Sequence, residues 1–165
     1  MNYNAAVETA RASEAVATNP GYEALAVEVD VCDMANVEAM IKTAIQTFGR
    51  IDYSVNSAGV GVQNPLPFED ADPAEMMRFW QVNVMGTFNC VQVVSKAMKE
   101  QSVRVISSRG REREVGRGVI LNLGSANSYM ATPNIVQYTT SKHAVLGLTK
   151  NAGKQSLPSL GSNGV

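Results

Sequence analysis

A chain of 165 residues with 45% hydrophobic and 18% charged residues suits a single soluble globular domain with a core of useful size. Its net charge of -1 gives no electrostatic reason to expect nucleic acid or an anionic membrane as partner. No apolar run approaches the roughly 20 residues that span a bilayer, and the N-terminal MNYNAAVETARASEAV has neither the basic start nor the apolar core of a secretory signal. Cys32 and Cys90 stand far apart in no metal or redox spacing. They are expected to be buried structural thiols in a reducing, cytoplasmic compartment, with no metal site.

Residues 4–17 read as an alanine-rich helix that stops before Asn19-Pro20-Gly21, a turn signal. Leu25, Val27, Val29 and Val31 then alternate at period two, which predicts a strand over 24–31. Asp33 can cap the next helix, in which Val37, Met40, Ile41, Ala44, Ile45 and Phe48 share one face. Gly49 closes that helix. The run 51–55 predicts a second strand, breaking into Asn56-Ser57-Ala58-Gly59. A surface loop over 59–69 leads to Asp72-Pro73, a cap and first-turn proline for a long helix reaching about Lys99. Residues 101–117 read as a polar, arginine-rich connection, in which interleaved glutamates favour a solvated loop over an anion site. Residues 118–123 form a third, almost wholly apolar strand, and a helix follows from about Val136 to Lys150. The Ser- and Gly-rich tail, 153–165, reads as disordered. Strands alternating with helices imply an α/β fold with a parallel sheet.

Tyr138 and Lys142 stand one helical turn apart and share a face. A free tyrosine is a poor base at neutral pH. An ammonium about 4 Å from a tyrosinate contributes about 4 kcal/mol at an effective dielectric near 20, enough to let the phenol exchange a proton with a hydroxyl or carbonyl. Taken alone, the signal is weak and the pair reads better as an exposed helix pair. Ser125 lies just past the third strand, at the carboxyl end where open α/β sheets bind ligands. Its hydroxyl can donate to a carbonyl oxygen that gains charge; its bland reading is a turn serine. His143 points away from Tyr138 and reads as a solvated helix residue.

The set Asp30-Val31-Cys32-Asp33, Asn56-Ser57-Ala58-Gly59, Asn83-Val84-Met85-Gly86, Ser125 and Tyr138-Thr139-Thr140-Ser141-Lys142 resembles the short-chain dehydrogenase/reductases in identity, order and spacing. The resemblance covers about residues 5–152 and is lengthened by the 101–117 insertion. It implies an oxidoreductase using NAD or NADP to interconvert a secondary alcohol and a ketone, and a homo-oligomer when the domain is full length. It further implies that Tyr138 is the acid/base, that Lys142 stabilises its phenolate and holds the nicotinamide ribose, and that Ser125 holds the substrate oxygen. Asn83 would anchor a water that relays protons through Lys142. Asp30 and the Val31 backbone would meet the adenine, and Asn56, Ala58 and Gly59 would line the cofactor.

The implied fold is a partial Rossmann-like, doubly wound parallel sheet: three of the family's strands are retained over 1–152, the first two and the last ones missing. No G-x-G-x-x-G occurs, so the isolated chain is expected to be marginally stable and to bind NAD(P)H weakly. In the family's 3-2-1-4-5 order the 24–31 strand either shifts to pair with 51–55 or leaves open edges. The alternative to an enzyme is an inactive interaction module associating through the 73–99 and 136–152 helices.

Overall fold

The computed structural model describes residues 3–156. Its helices are α1 (Tyr3–Ala15), α2 (Met34–Phe48), α3 (Pro73–Phe79), α4 (Thr87–Glu100) and α5 (Val136–Ser156). Its strands are β1 (Tyr53–Asn56), β2 (Val105–Ser108), β3 (Arg111–Glu114) and β4 (Val119–Asn122). The caps follow from the sequence. The Asp33 carboxylate accepts from the Ala35 N–H at 2.9 Å, and Gly49, left-handed at φ 81°, donates to the Ile45 carbonyl at 2.8 Å. Asp72 accepts from the Ala74 N–H with Pro73 in the first turn. None of the helices among the described residues is long and apolar enough to cross a membrane.

β1 and β4 pair in parallel, Tyr53 opposite Val119 through Asn56 opposite Asn122. One face of this pair is covered. Ile120 packs with Ile41, Val94 and Met98 of α2 and α4, and the Asn122 amide donates to the Thr149 hydroxyl of α5 at 2.9 Å. The other face carries Tyr53, Val55, Val119 and Leu121, all exposed. The sheet therefore keeps its α/β character while only one of its two faces is covered by described residues.

The expected strand over 24–31 does not form; residues 22–30 carry no ladder, and among the described residues β1 pairs only with β4. The alternating valines are real but their use differs. Val29 and Val31 pack against Val37 and Cys90, and no neighbouring strand among the described residues offers the hydrogen bonds a ladder requires. A groove of about 1070 Å³ lies between this segment, α2 and β1, so the open-edge outcome holds rather than a shifted pairing.

Three further expectations are revised. The 73–99 helix is continuous in path but passes through a π segment, Trp80–Gly86, as found where helices carry functional residues. The 101–117 connection is not an irregular loop but an antiparallel hairpin, β2–β3. Its two-residue turn, Arg109-Gly110, takes φ of 52° and 74°, the left-handed pair that matches strand twist. Finally, α5 continues through Gly153 to Ser156, because nothing in that stretch breaks a helix; residues 157–165 of the expected tail lie outside the described residues.

Gly86 is set by contact. A Cβ there would come within 2.6 Å of Val31 Cγ2, a stiff β-branched neighbour. Alanine normally gains about 1 kcal/mol over glycine in a helix, but overpacking costs about 1–3 kcal/mol. Gly86→Ala is therefore expected to lower the thermal midpoint. Gly118→Ala, whose Cβ meets the flexible Met98 end at 2.6 Å, is expected to lower it less; the reverse order in a melting experiment would refute the contact.

Candidate active site

The candidate residues converge on the carboxyl ends of β1 and β4. Ser125 opens a short 3₁₀ turn after β4. Its hydroxyl oxygen accepts from the Asn127 N–H at 3.2 Å, and its own N–H donates to the Ser128 hydroxyl at 3.1 Å. This reciprocal cap fixes the serine, and its hydroxyl proton has no acceptor among the described residues. Tyr138 and Lys142 project from one face of α5. The Lys142 ammonium sits 5.6 Å from the Tyr138 ring centroid and donates to the Leu123 carbonyl at 2.8 Å. The lysine is thus tethered to the exit of β4, leaving two of its three protons for other partners. Phe79 meets the Tyr138 ring edge-on, with centroids 6.3 Å apart. The Tyr138 hydroxyl has no hydrogen-bond partner among the described residues.

Asn83 is fully buried in the π segment. Its Oδ1 accepts from the Val60 N–H at 2.7 Å, while Nδ2 donates to the Val60 carbonyl at 3.1 Å and the Ser141 hydroxyl at 3.0 Å. Ser141 in turn donates to the Tyr138 carbonyl at 2.8 Å. Both amide protons are used, so the Asn83 side chain joins the loop after β1 to the helix bearing Tyr138. Its backbone carbonyl accepts from the Thr87 hydroxyl at 2.7 Å. Sequence reasoning missed Ser141 and Val60; only the helical spacing of Ser141 beside Lys142 could have hinted at the former.

The cofactor-side residues divide. Val31, Asn56 and Ala58 line the large groove together. Asn56 also donates to Asn122 Oδ1 at 2.7 Å, tying the two strand ends, and the Val31 carbonyl accepts from the Asn89 amide at 2.9 Å. Asp30, exposed, accepts from the Cys32 N–H at 2.9 Å. At Gly59 a Cβ would stand 3.1 Å from Asn83 Oδ1, so the glycine admits the asparagine that organises this loop. His143, exposed, lies 3.0 Å from the Thr139 carbonyl through Nδ1.

Only one of the two cysteines is buried as expected. Cys90 lies in the core and burial pushes its thiol up. Cys32 is exposed, yet its thiol is also raised, first by partial desolvation and then by the Asp30 carboxylate. A raised thiol holds less thiolate at neutral pH and alkylates more slowly. Asp30→Asn should therefore speed iodoacetamide labelling of Cys32 in the native protein, read by mass spectrometry; an unchanged rate would remove the carboxylate from the account.

The family model for short chain dehydrogenases matches residues 2–159. The chain is 57% identical over 158 residues to short-chain dehydrogenase anuF of Penicillium roqueforti (strain FM164), covering 96% of this chain and 57% of that protein. Among solved structures, a Sinorhizobium meliloti 1021 protein described as a short-chain alcohol dehydrogenase superposes with a TM-score of 0.75 at 27% identity, over 93% of this chain and 53% of its own. ElxO, solved with NADP bound, gives 0.66 at 28% identity over 78% and 46%. The chain belongs to the short-chain dehydrogenase family. It spans about half the length of the curated relatives it matches.

Proposed function

We propose that these residues form the proton-transfer side of a nicotinamide-dependent oxidoreductase that interconverts a small secondary alcohol and a ketone. The observation that carries this reading is the grouping of Ser125, Tyr138 and Lys142 at the carboxyl ends of a parallel strand pair, with the Ser125 and Tyr138 hydroxyl protons uncommitted among the described residues. In reduction, Ser125 donates a hydrogen bond to the carbonyl oxygen and orients it. Tyr138 gives its phenolic proton to that oxygen as negative charge develops, and Lys142, held over the ring, stabilises the phenolate left behind.

The residues present fit the nicotinamide end of NAD or NADP. The Lys142 ammonium keeps two protons among the described residues for the nicotinamide ribose hydroxyls, while the groove lined by Val31, Asn56 and Ala58 runs from β1 toward the 24–31 segment, the side expected to meet the adenine. The bound cofactor supplies the hydride. No glycine-rich turn for the pyrophosphate is present in the sequence, which supports weak binding by this chain alone. The reading is tested by nicotinamide absorbance in the presence of a ketone panel. Consumption of NADH or NADPH supports it; a protein that binds the dinucleotide and reduces no carbonyl would sink it.

One observation favours a second reading, a non-catalytic module that associates through the 73–99 and 136–152 helices. The outward faces of α4 and α5 form a groove of about 610 Å³ lined by Phe88, Val91 and Leu148. Co-purification with a tagged full-length homologue, without turnover, would be its signature.

A further inference from the structure

The β2–β3 hairpin stands at the amino ends of β1 and β4, opposite the end that carries Ser125 and Tyr138. It is firmly rooted there. Gln101 accepts from the Ile51 N–H at 2.7 Å and donates to the Ile51 and Arg117 carbonyls at 3.0 and 2.9 Å. Arg117 Nε donates to the Gln101 carbonyl at 3.0 Å, and Arg104 pairs with Asp52 at 3.6 Å. Val115 and Gly116 both oppose Arg104 in a bulge that ends the ladder. A rooted ribbon with all residues of both strands exposed has no evident task in the fold below it.

The register decides what each edge offers. Ser108 opposite Arg111 closes the turn and Ile106 faces Arg113, so these residues exchange the inner hydrogen bonds. Val105 and Ser107 on β2, and Glu112 and Glu114 on β3, therefore turn their backbone groups outward. On the β3 side, antiparallel pairing with a second copy about a two-fold axis sets Glu against Glu and Arg113 against Arg113. Directly opposed like charges destabilise such pairs, so β3 repels its own kind, as protected edges do. The β2 side has no charge, no proline and two exposed β-branched side chains, Val105 and Ile106.

We propose that β2 is a self-recognition edge, at which a second copy of this chain adds antiparallel with Ile106 on the two-fold axis. In that register Val105 pairs with Ser107 of the second copy and the reverse, each pair exchanging two backbone hydrogen bonds, and Ile106 meets Ile106. The charged β3 strands become the outer edges of a four-stranded ribbon. Arg113 and its symmetry mate then lie about 14 Å apart across three strand spacings, beyond the screening length of about 8 Å at physiological salt. The pattern thus rejects self-pairing at one edge and permits it at the other, with closure at two copies. Four-residue strands bury little area, so the dimer is reversible.

The test is sedimentation of the full chain across a concentration series. A monomer–dimer equilibrium is expected, abolished by Ile106→Lys, which sets two ammonium groups on the axis, and preserved by Ile106→Val. Ser107→Pro removes an outward N–H and is expected to abolish it too, which covers the case in which the lysine variant misfolds. In a Cys32→Ser background, Ile106→Cys should form an intermolecular disulfide under mild oxidation. The expected Cα separation of about 4.5 Å for such a pair lies within the roughly 4.4–6.8 Å that disulfides span. Arg113→Cys should not cross-link. A monomer at every concentration, an open polymer, a dimer indifferent to both the lysine and proline variants, or equal cross-linking at 106 and 113 would each overturn the proposal.

Discussion

On the proposed function, replacing Tyr138 by phenylalanine is expected to lower the rate of carbonyl reduction by about 10²–10⁴-fold, the usual contribution of a positioned general acid, while leaving stability within about 0.5 kcal/mol. The separation of the two effects follows from geometry. The phenol oxygen has no hydrogen-bond partner among the described residues, so its removal orphans no described group, and the ring keeps its edge-on contact with Phe79. The lysine keeps its bond to the Leu123 carbonyl. Steady-state kinetics should show the loss in kcat with KM little changed, and a denaturation midpoint near that of the parent would confirm that the fold is intact. A variant with parental kcat would remove Tyr138 from the proton path. Lys142→Met is a useful contrast, because it also breaks the tether to β4 and should affect binding and stability together.

Asn83→Ala is expected to be the most destabilising single change in the region. The side chain serves three partners at once, and its loss leaves the Val60 N–H and carbonyl without their partners and deprives Ser141 of a donor. Orphaned buried polar groups cost about 1–3 kcal/mol each, so a total loss of about 2–5 kcal/mol is expected against a typical stability of roughly 5–15 kcal/mol. The urea midpoint should fall accordingly. Asn83→Asp should not rescue it, since a carboxylate can accept from Val60 but has no protons for the Val60 carbonyl or Ser141. An alanine variant with an unchanged midpoint would show that water replaces the amide at little cost.

The sequence was most readable where a single local rule decided the outcome. Asp33, Gly49 and Asp72-Pro73 marked helix ends because caps depend on neighbours a few residues away, and Tyr138 and Lys142 shared a face because helical spacing alone ensures it. It was least readable where the outcome depended on distant partners. The valines of 24–31 alternate as a strand does, but a ladder needs a neighbour, and burial against Val37 and Cys90 satisfies the same pattern without one. The hairpin was hidden by its turn. Arg109 occupies a left-handed position usually marked by asparagine, aspartate or glycine, and the alternating charges of β3 lack the hydrophobic signal that strands usually show. The role of the Asn83 side chain was beyond reach because Val60 and Ser141 lie 23 and 58 residues away in the chain.

The π segment Trp80–Gly86 has a consequence for which kinds of sequence change the molecule can absorb. A π turn accommodates one more residue than an α turn, and one residue corresponds to roughly 100° of helical rotation. The segment therefore sets the phase between α3, whose Phe79 abuts Tyr138, and α4, whose Val94 and Met98 fill the core. Substitutions on its outer surface leave that phase untouched, but a single-residue deletion would turn one half of the helix away from its partners. The 101–117 hairpin is the opposite case: it hangs from Gln101 and Arg117, and its tip can gain or lose residues in pairs without rotating anything beneath it. Length variation should thus be free at the hairpin tip and forbidden within 80–86.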